Sequence, residues 1–521
     1  MKILKYGLLT LGLGVLALTA CSGEKTPAST GGANQPPTAG QEEKIGLSSE
    51  TYDFEKEYFF EDYNKKSLED ETRQGIKTFE NKDDIVFDAI TYEELVDIFE
   101  SEGNYLILFG GSWCHNTRAA VPFINQYAKE YNIDTIYNFD FYLDGTNSNT
   151  HIRNTNQSDP TRVTPGVEYN YLYGELVSKY LTNLTDFVEY KTGSSSSLTY
   201  TNNESSAVNV AKVQVPFLFL YNKDNTVNHA EGTGTPNEDG TYPIVYGFEE
   251  MIDLDDKGVY SYSRNVAKED RTYYTDQYKT RLKVIFDFIK DNNVKLTTYS
   301  DGNYFRNIYN EKSNAEIFKE NDKVNIKTIT YRQLIWLLEH EGDSVILFGG
   351  SWCPNTQATI KLTNDYAVKN NVVVYNFDTK LDSGLAKKYW NYSKDLHIRD
   401  TSNSFVRLYT DLIEKYLTNI VTLYDVNASE SYKSISYTDA SGNVVKVKKL
   451  QVPYLLSYNK DNKDSDGEIA PITAYFEKML TLNSAQEDYV YKTDNYKAAK
   501  EGTFNVISTF LKSINKEAKE I

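Results

Sequence analysis

Two cysteines occupy matching positions in the sequence, and their surroundings indicate thiol chemistry. Cys114 lies in GGSWCHNTRAA and Cys353 lies in GGSWCPNTQAT. A thiol at the N-terminus of a helix meets unpaired N–H groups and the positive end of the helix dipole, which stabilise the thiolate. Thr117 and Thr356 follow one helical turn later, where each hydroxyl can donate a hydrogen bond to the sulfur.

Each site holds a single cysteine and therefore cannot complete a redox cycle alone. A thiolate can attack a disulfide and form a mixed disulfide, but a second thiol must then release the product. That thiol could belong to a small molecule, to a dithiol partner or to the other site. The alternative is that the cysteines are inert and the protein only binds its partners.

The elements that position the cysteines are duplicated. Residues 90–117 match residues 329–356, and YNFD, KYLTN and YNKDN recur afterwards in the same order. At 521 residues the chain also exceeds what one hydrophobic core usually supports. We therefore predict two copies of one unit, at 49–292 and 293–521.

The apolar pattern predicts how each copy is built. Thr91 and Glu94 predict a capping box, and apolar residues at helical spacing follow. The run from Tyr105 to Phe109 ends at Gly-Gly, as expected for a buried central strand that leads to the cysteine. Because helices and strands alternate, we expect an α/β unit with a sheet between helical layers.

A longer segment separates the strand after each cysteine from a later Val-Pro. Leu172, Leu176 and Tyr180 keep helical spacing, and SYTDASGNVVKV in the second copy is typical of two strands around a polar turn. We predict a helix followed by a hairpin. This insertion either shapes a substrate groove or serves packing alone.

Strand, Trp-Cys, helix, strand and a later Val-Pro before an apolar strand resemble the thioredoxin superfamily. The resemblance implies two thioredoxin-like domains in tandem, each with the insertion before the proline strand. It also implies a cis proline beside the cysteine, with the preceding residue paired to an extended substrate; the alternative is a trans proline that opens an edge strand. By resemblance, the substrate-binding residues are Trp113, Val215, Pro216, Trp352, Val452 and Pro453.

The chain departs from this family in two respects. Threonine replaces the second cysteine of each site, and Leu108 and Leu347 stand where the family keeps a buried carboxylate. That carboxylate helps to deprotonate the second thiol, so without the thiol it has no proton to take. The two absences are consistent with a coherent single-cysteine site.

A weaker candidate is the shared pattern His-Ile-Arg-[Asn/Asp]-Thr, which contains His151 and Arg153 in one copy and His397 and Arg399 in the other. Histidine and arginine near a thiolate would stabilise it. The plainer interpretation, which we favour, is a loop whose arginine binds backbone carbonyls. Two cysteines and two histidines split between copies do not predict a metal site, and no cofactor is expected.

Composition and the N-terminus indicate where the protein acts. The formal net charge of −19 argues against nucleic acid, and a mean hydropathy of −0.55 argues against a polytopic membrane protein. Residues 1–20 have the form of an export signal, and Leu-Thr-Ala-Cys ending at Cys21 resembles a bacterial lipobox. The alternative is an ordinary secretory leader with an incidental cysteine. Residues 21–48 predict a flexible tether, so we expect a lipid-anchored protein on the extracytoplasmic face of the cell membrane.

Two functional hypotheses follow. The first is an oxidoreductase or isomerase that acts through CxxT sites on exported proteins with thiols or disulfides, or with a small thiol or dithiol partner. The second is a chaperone or adaptor that binds proteins in degenerate thioredoxin grooves without redox turnover. From the paired Trp-Cys and Val-Pro pattern we expect both thiols to be at least partly exposed, each open to its own partner and not joined to the other.

Overall fold

Each copy of the repeat is built around a five-stranded mixed sheet. The computed structural model describes residues 45–70, 77–145, 151–153, 169–184, 197–229, 236–255, 258–261, 271–389, 395–401, 405–423, 429–439, 441–482 and 494–514. These residues belong to one compact unit, Lys44–Ile521.

The first copy has its sheet in the order β1-β3-β2-β6-β7. Its helices are α1 (Phe54–Leu68), α2 (Tyr92–Glu100), α3 (His115–Glu130), α4 (Tyr171–Tyr180) and α5 (Arg271–Asp291). Its strands are β1 (Phe87–Ala89), β2 (Tyr105–Phe109), β3 (Ile136–Phe139), β4 (Ser197–Thr201), β5 (Ala207–Ala211), β6 (Phe217–Tyr221), β7 (Ile244–Phe248), β8 (Ile252–Asp255) and β9 (Gly258–Ser261). β1, β3 and β2 run parallel, whereas β6 and β7 are antiparallel to their neighbours.

The second copy repeats this sheet in the order β10-β12-β11-β15-β16. Its helices are α6 (Asp301–Tyr304), α7 (Asn310–Ser313), α8 (Tyr331–Glu339), α9 (Pro354–Lys369), α10 (Leu385–Tyr389), α11 (Val406–Lys415), α12 (Glu430–Lys433) and α13 (Asp494–Ile514). Its strands are β10 (Ile326–Thr328), β11 (Ser344–Phe348), β12 (Val374–Phe377), β13 (Ser434–Thr438), β14 (Val444–Lys448), β15 (Tyr454–Tyr458) and β16 (Ile472–Glu477). A π-helical turn, Phe305–Tyr309, joins α6 to α7.

Local sequence signals account for the elements next to the cysteines. The Thr91–Glu94 capping box is formed at the start of α2, and Thr330 with Gln333 forms its counterpart at α8. All five residues of β2 are buried, as a central strand requires. In the insertions, α4 is followed by the β4–β5 hairpin, and α11 is followed by the β13–β14 hairpin.

The segment ahead of each copy's sheet packs on the other copy. The Val373 amide donates to Ser48 O at 2.7 Å, and the Tyr375 hydroxyl donates to Leu47 O at 2.5 Å. Tyr137 makes the corresponding bond to Tyr299 O at 3.1 Å. Leu47 and Ser48, predicted to be tether, are therefore buried against the second copy. One continuous hydrophobic cluster runs through both copies.

Candidate functional site

Each cysteine lies where the central strand of its sheet gives way to a long helix. Cys114 is the N-cap of α3, and Cys353 is the N-cap of α9. Each cysteine amide donates at 3.0 Å to the carbonyl three residues earlier, on Gly111 or Gly350. Neither side chain caps its helix, so each sulfur faces other neighbours.

A proline loop lies beside each sulfur. The peptide bonds that precede Pro216 and Pro453 are both cis. The Cys114 Sγ lies 3.7 Å from the carbonyl oxygen of Val215, and the corresponding distance in the second copy is 3.6 Å. The same contact between a thiol and the residue before the proline is therefore built twice.

The thiols are less accessible than the sequence predicts. Only 8% of Cys114 and 5% of Cys353 is exposed, so the expectation of partly exposed thiols is wrong. The physical reason is the proline loop: the Val215 carbonyl lies against the sulfur, and Val215 is itself buried. Both thiols are free, as expected, and they are not joined to each other.

The threonines do not bond to the sulfurs in the predicted way. Thr117 and Thr356 are fully buried, and neither hydroxyl has a hydrogen-bond partner among the residues that the structure describes. Their side chains face the end of the central strand instead. A Cβ on Gly110 would lie 2.8 Å from Thr117 Cγ2, and Gly349 stands in the same relation to Thr356. The first glycine of each Gly-Gly pair therefore makes room for the threonine.

A carboxyl group that the sequence analysis missed is present at each site. Asp140, just after β3, accepts a hydrogen bond from Trp113 Nε1 at 2.7 Å, and Asp378 accepts one from Trp352 Nε1 at 2.8 Å. The second glycine of the pair is required here, since a Cβ on Gly111 would lie 2.2 Å from Asp140 Oδ2. The available signal was the repeated YNFD motif, which ends at these aspartates.

Both carboxyls titrate near neutral pH. Burial raises the pKa of Asp140 to about 7 and that of Asp378 to about 6, although hydrogen bonds from the indole and the backbone act in the opposite direction. A group with a pKa near 7 exchanges protons readily at neutral pH. Each site therefore keeps an acid, at the end of the next strand rather than at Leu108 or Leu347.

The two sites differ in what covers the tryptophan. Trp113 stacks on Tyr142 with ring centroids 3.8 Å apart and planes inclined by 3°. In the second copy, Lys380 takes the place of Tyr142, and its Nζ lies 4.1 Å from the ring centroid of Trp352. A cation over an aromatic face is attractive. The second site therefore carries positive charge where the first is aromatic.

The predicted histidines and arginines lie together at both sites. Arg153 Nε donates to His151 Nε2 at 3.2 Å, and Arg399 Nε donates to His397 Nε2 at 3.1 Å. Burial lowers the pKa of His397 to about 2 and holds that of His151 well below its usual range, so both rings are neutral. Each arginine also donates to a backbone carbonyl in the segment that leads to the proline, as the plainer interpretation predicts.

Both arginines are buried, and burial lowers the pKa of each guanidinium. Their contacts with a histidine and a backbone carbonyl match the plainer interpretation, and stabilisation of a thiolate stays a prediction.

A methionine accompanies each thiol site. Methionine occurs at three positions in the sequence, and two of them are Met251 and Met479. Asn116 Nδ2, in the first turn of α3, lies 3.4 Å from Met251 Sδ, and Asn355 Nδ2 lies 3.3 Å from Met479 Sδ. The sequence signal was the repeat of FEEM as FEKM. A polarisable, adaptable thioether suits contact with varied apolar groups.

A cavity of about 60 Å³ lies between the two copies. Asp140 and Asp378 both line it, as does Tyr63, whose buried hydroxyl has no partner within the described ranges. The cavity has room for water beside these polar groups, although most of its lining is apolar. The two sites therefore border one interior space.

The predicted leader and its lipidation residue, Cys21, lie outside the described residues. Within the described part of the chain, no helix is both long and apolar enough to cross a membrane. The described ranges also contain no group of three or more His, Cys, Asp or Glu side chains placed to hold a metal ion.

Comparison with known proteins leaves the architecture to be judged from the structure itself. No family model and no curated protein matches the chain. A solved structure titled "Crystal structure of ERdj5 form II" matches at 9% identity with a TM-score of 0.16, over 82% of this chain and 32% of that one. The chain thus spans about a third of the length of that structure. We conclude that it is a mixed α/β protein with two five-stranded sheets, each carrying one thiol at the start of a helix.

Proposed function

We propose that this chain is a tandem thioredoxin-like protein whose Cys114 and Cys353 exchange with disulfides or mixed disulfides of exported proteins. The observation that carries the proposal is the thiol placed 3.7 Å and 3.6 Å from the carbonyl before a cis proline, once in each copy. In the thioredoxin family that residue pairs with an extended substrate. A disulfide bound there would lie beside the sulfur.

The reaction is a thiol–disulfide exchange. The Cys114 thiolate attacks one sulfur of the substrate, a new S–S bond forms, and the other substrate sulfur leaves as a thiolate. Asp140, with a pKa of about 7, is a group of the site that can exchange protons at neutral pH. Release of the mixed disulfide requires a second thiol, supplied by a small thiol, a dithiol partner or the substrate itself.

We further propose that the reaction takes place outside the cytoplasm, on a protein held to the membrane by a lipid on Cys21. The support is the short apolar leader, the Leu-Thr-Ala-Cys sequence and the polar segment that follows. A Cys21→Ala variant is expected to leave the membrane fraction while keeping the reactivity of Cys114 and Cys353. Retention in the membrane fraction would contradict the anchor.

A second candidate function is binding of exported proteins without redox turnover. The observation that favours it is the low exposure of both thiols, together with the two threonine hydroxyls that have no partner among the described residues. In this case the groove beside the proline holds a peptide, and the cysteines contribute only packing. Binding then survives substitution of both cysteines by serine.

Thiol trapping in cells tests the proposal against this alternative. Cells are treated with an alkylating agent, and complexes are separated on a non-reducing gel and identified by mass spectrometry. Covalent complexes that disappear in Cys114→Ser and Cys353→Ser variants support exchange. Peptide binding without such complexes, and unchanged in the double variant, supports the second function instead.

A further inference from the structure

The serine ahead of each Trp-Cys is held by a carboxylate. Ser112 Oγ donates to Asp62 Oδ2 at 2.5 Å. Ser351 Oγ lies 3.0 Å and 3.1 Å from the two carboxylate oxygens of Glu93. Both serines are buried and lie in the turn that ends at the cysteine. These contacts therefore fix the turn that places each thiol.

Each carboxylate also forms an ion pair that crosses between the copies. Asp62 of the first copy pairs with Arg332 of the second, whose Nε lies 2.8 Å from Asp62 Oδ1. Glu93 of the first copy pairs with Lys312 of the second. Lys312 Nζ also lies 2.9 Å from Ser351 Oγ. All four charged side chains are almost completely buried.

The two cross-copy pairs have opposite polarity. Glu93 and Arg332 occupy equivalent positions, in ITYEEL and ITYRQL, and each is the second residue of its helix, α2 or α8. The partners come from different positions of the repeat: Asp62 lies on α1, and Lys312 on α7 matches Lys66 of the first copy. The repeat has therefore kept the position of Glu93 and Arg332 and inverted its charge.

We propose that Arg332 and Glu93 are positioning residues, each of which supports the thiol site of the opposite copy. Arg332 holds the turn before Cys114 through Asp62 and Ser112. Glu93 holds the turn before Cys353 by direct contact with its serine. A buried, charge-assisted network of this kind opposes local opening of the turn. Each thiol site is thus completed by a residue of the other copy.

The test is the rate at which iodoacetamide alkylates each cysteine in the purified full chain, resolved by peptide mass spectrometry. Arg332→Met is expected to accelerate alkylation of Cys114 by about fivefold or more and to change Cys353 much less, because one charge-assisted network no longer opposes opening. Glu93→Gln is expected to accelerate the alkylation of Cys353 selectively. Alkylation reports any accessible thiol, so the result does not depend on the proposed redox function.

General destabilisation would give a different pattern, since the alkylation rates of both cysteines would rise together in each variant. Arg332→Lys retains a cation for Asp62 and is expected to return the alkylation rate of Cys114 towards the wild-type value. Ser112→Ala, which leaves the ion pair intact, is expected to raise the alkylation rate of Cys114 alone. The proposal is overturned if the alkylation rates of the two cysteines rise equally or if each variant raises the rate only for the cysteine of its own copy. It is also overturned if Ser112→Ala leaves the alkylation rate of Cys114 unchanged.

Discussion

Replacement of Asp140 by asparagine provides a quantitative test of how the first site is built. The carboxyl accepts hydrogen bonds from Trp113 Nε1 at 2.7 Å and from the Tyr142 amide at 2.8 Å, both at Oδ1. Asparagine has nearly the same shape, and its amide oxygen can accept both bonds. The substitution therefore removes the titration of residue 140 while it keeps the geometry.

The expected effect is a change in how stability depends on pH. Burial raises the pKa of Asp140 to about 7 in the folded protein, whereas an unfolded aspartate loses its proton near pH 3.9. Between these values the folded state holds one more proton than the unfolded state, so the free energy of unfolding falls as pH rises. At about 1.4 kcal/mol per pH unit, the Asp140 contribution falls by about 2 kcal/mol between pH 5 and pH 7.

The assay is urea denaturation of the wild-type chain and the Asp140→Asn variant at a series of pH values from 5 to 8. We expect the variant to gain about 2 kcal/mol relative to wild type from pH 5 to pH 7, with little further change above pH 8. Asp378→Asn serves as the matched comparison, and its effect is complete at lower pH because burial raises the pKa of Asp378 only to about 6. A constant difference between wild type and Asp140→Asn across the range, or a difference of opposite sign, would refute the reasoning.

Two further predictions concern the threonines. Thr117→Cys supplies the missing second sulfur at the helical position of a dithiol site, so insulin reduction is expected to rise above the wild-type rate; an unchanged rate would show that access limits the reaction. Thr117→Val removes a buried hydroxyl without a partner among the described residues and is expected to raise the free energy of unfolding by about 1 kcal/mol, measured in urea. Thr356→Val should behave in the same way, and a loss of stability in either variant would reveal a hydrogen bond to the hydroxyl.

The sequence predicts the parts of the fold whose signals are local. The capping box at Thr91, the buried run of β2 and the helical spacing of α4 each depend on a few neighbouring residues, and the structure contains all three elements. The packing of each copy's leading segment on the other copy has no local signal in the sequence. Leu47 packs on the second copy because of contacts with residues far along the chain, such as Tyr375.

The site also combines features that have a local sequence signal with features that depend on distant residues. The position of Cys114 at the start of a helix follows from the order of strand, Gly-Gly and helix. Its burial does not, because it depends on the carbonyl of Val215, about 100 residues later in the chain. Asp140 was visible only as the end of a repeated motif. The structure shows that it accepts a hydrogen bond from Trp113 and packs against Gly111.

The central claim is that both thiols of the folded chain carry out disulfide exchange. The most direct measurement is incubation of the reduced, purified chain with glutathione disulfide, followed by mass spectrometry of the peptides that contain Cys114 and Cys353. We expect a glutathione mixed disulfide at each cysteine of the folded protein, and its removal when a dithiol is added. The account is contradicted if the folded chain acquires no adduct at either cysteine under conditions in which the urea-unfolded chain is modified at both.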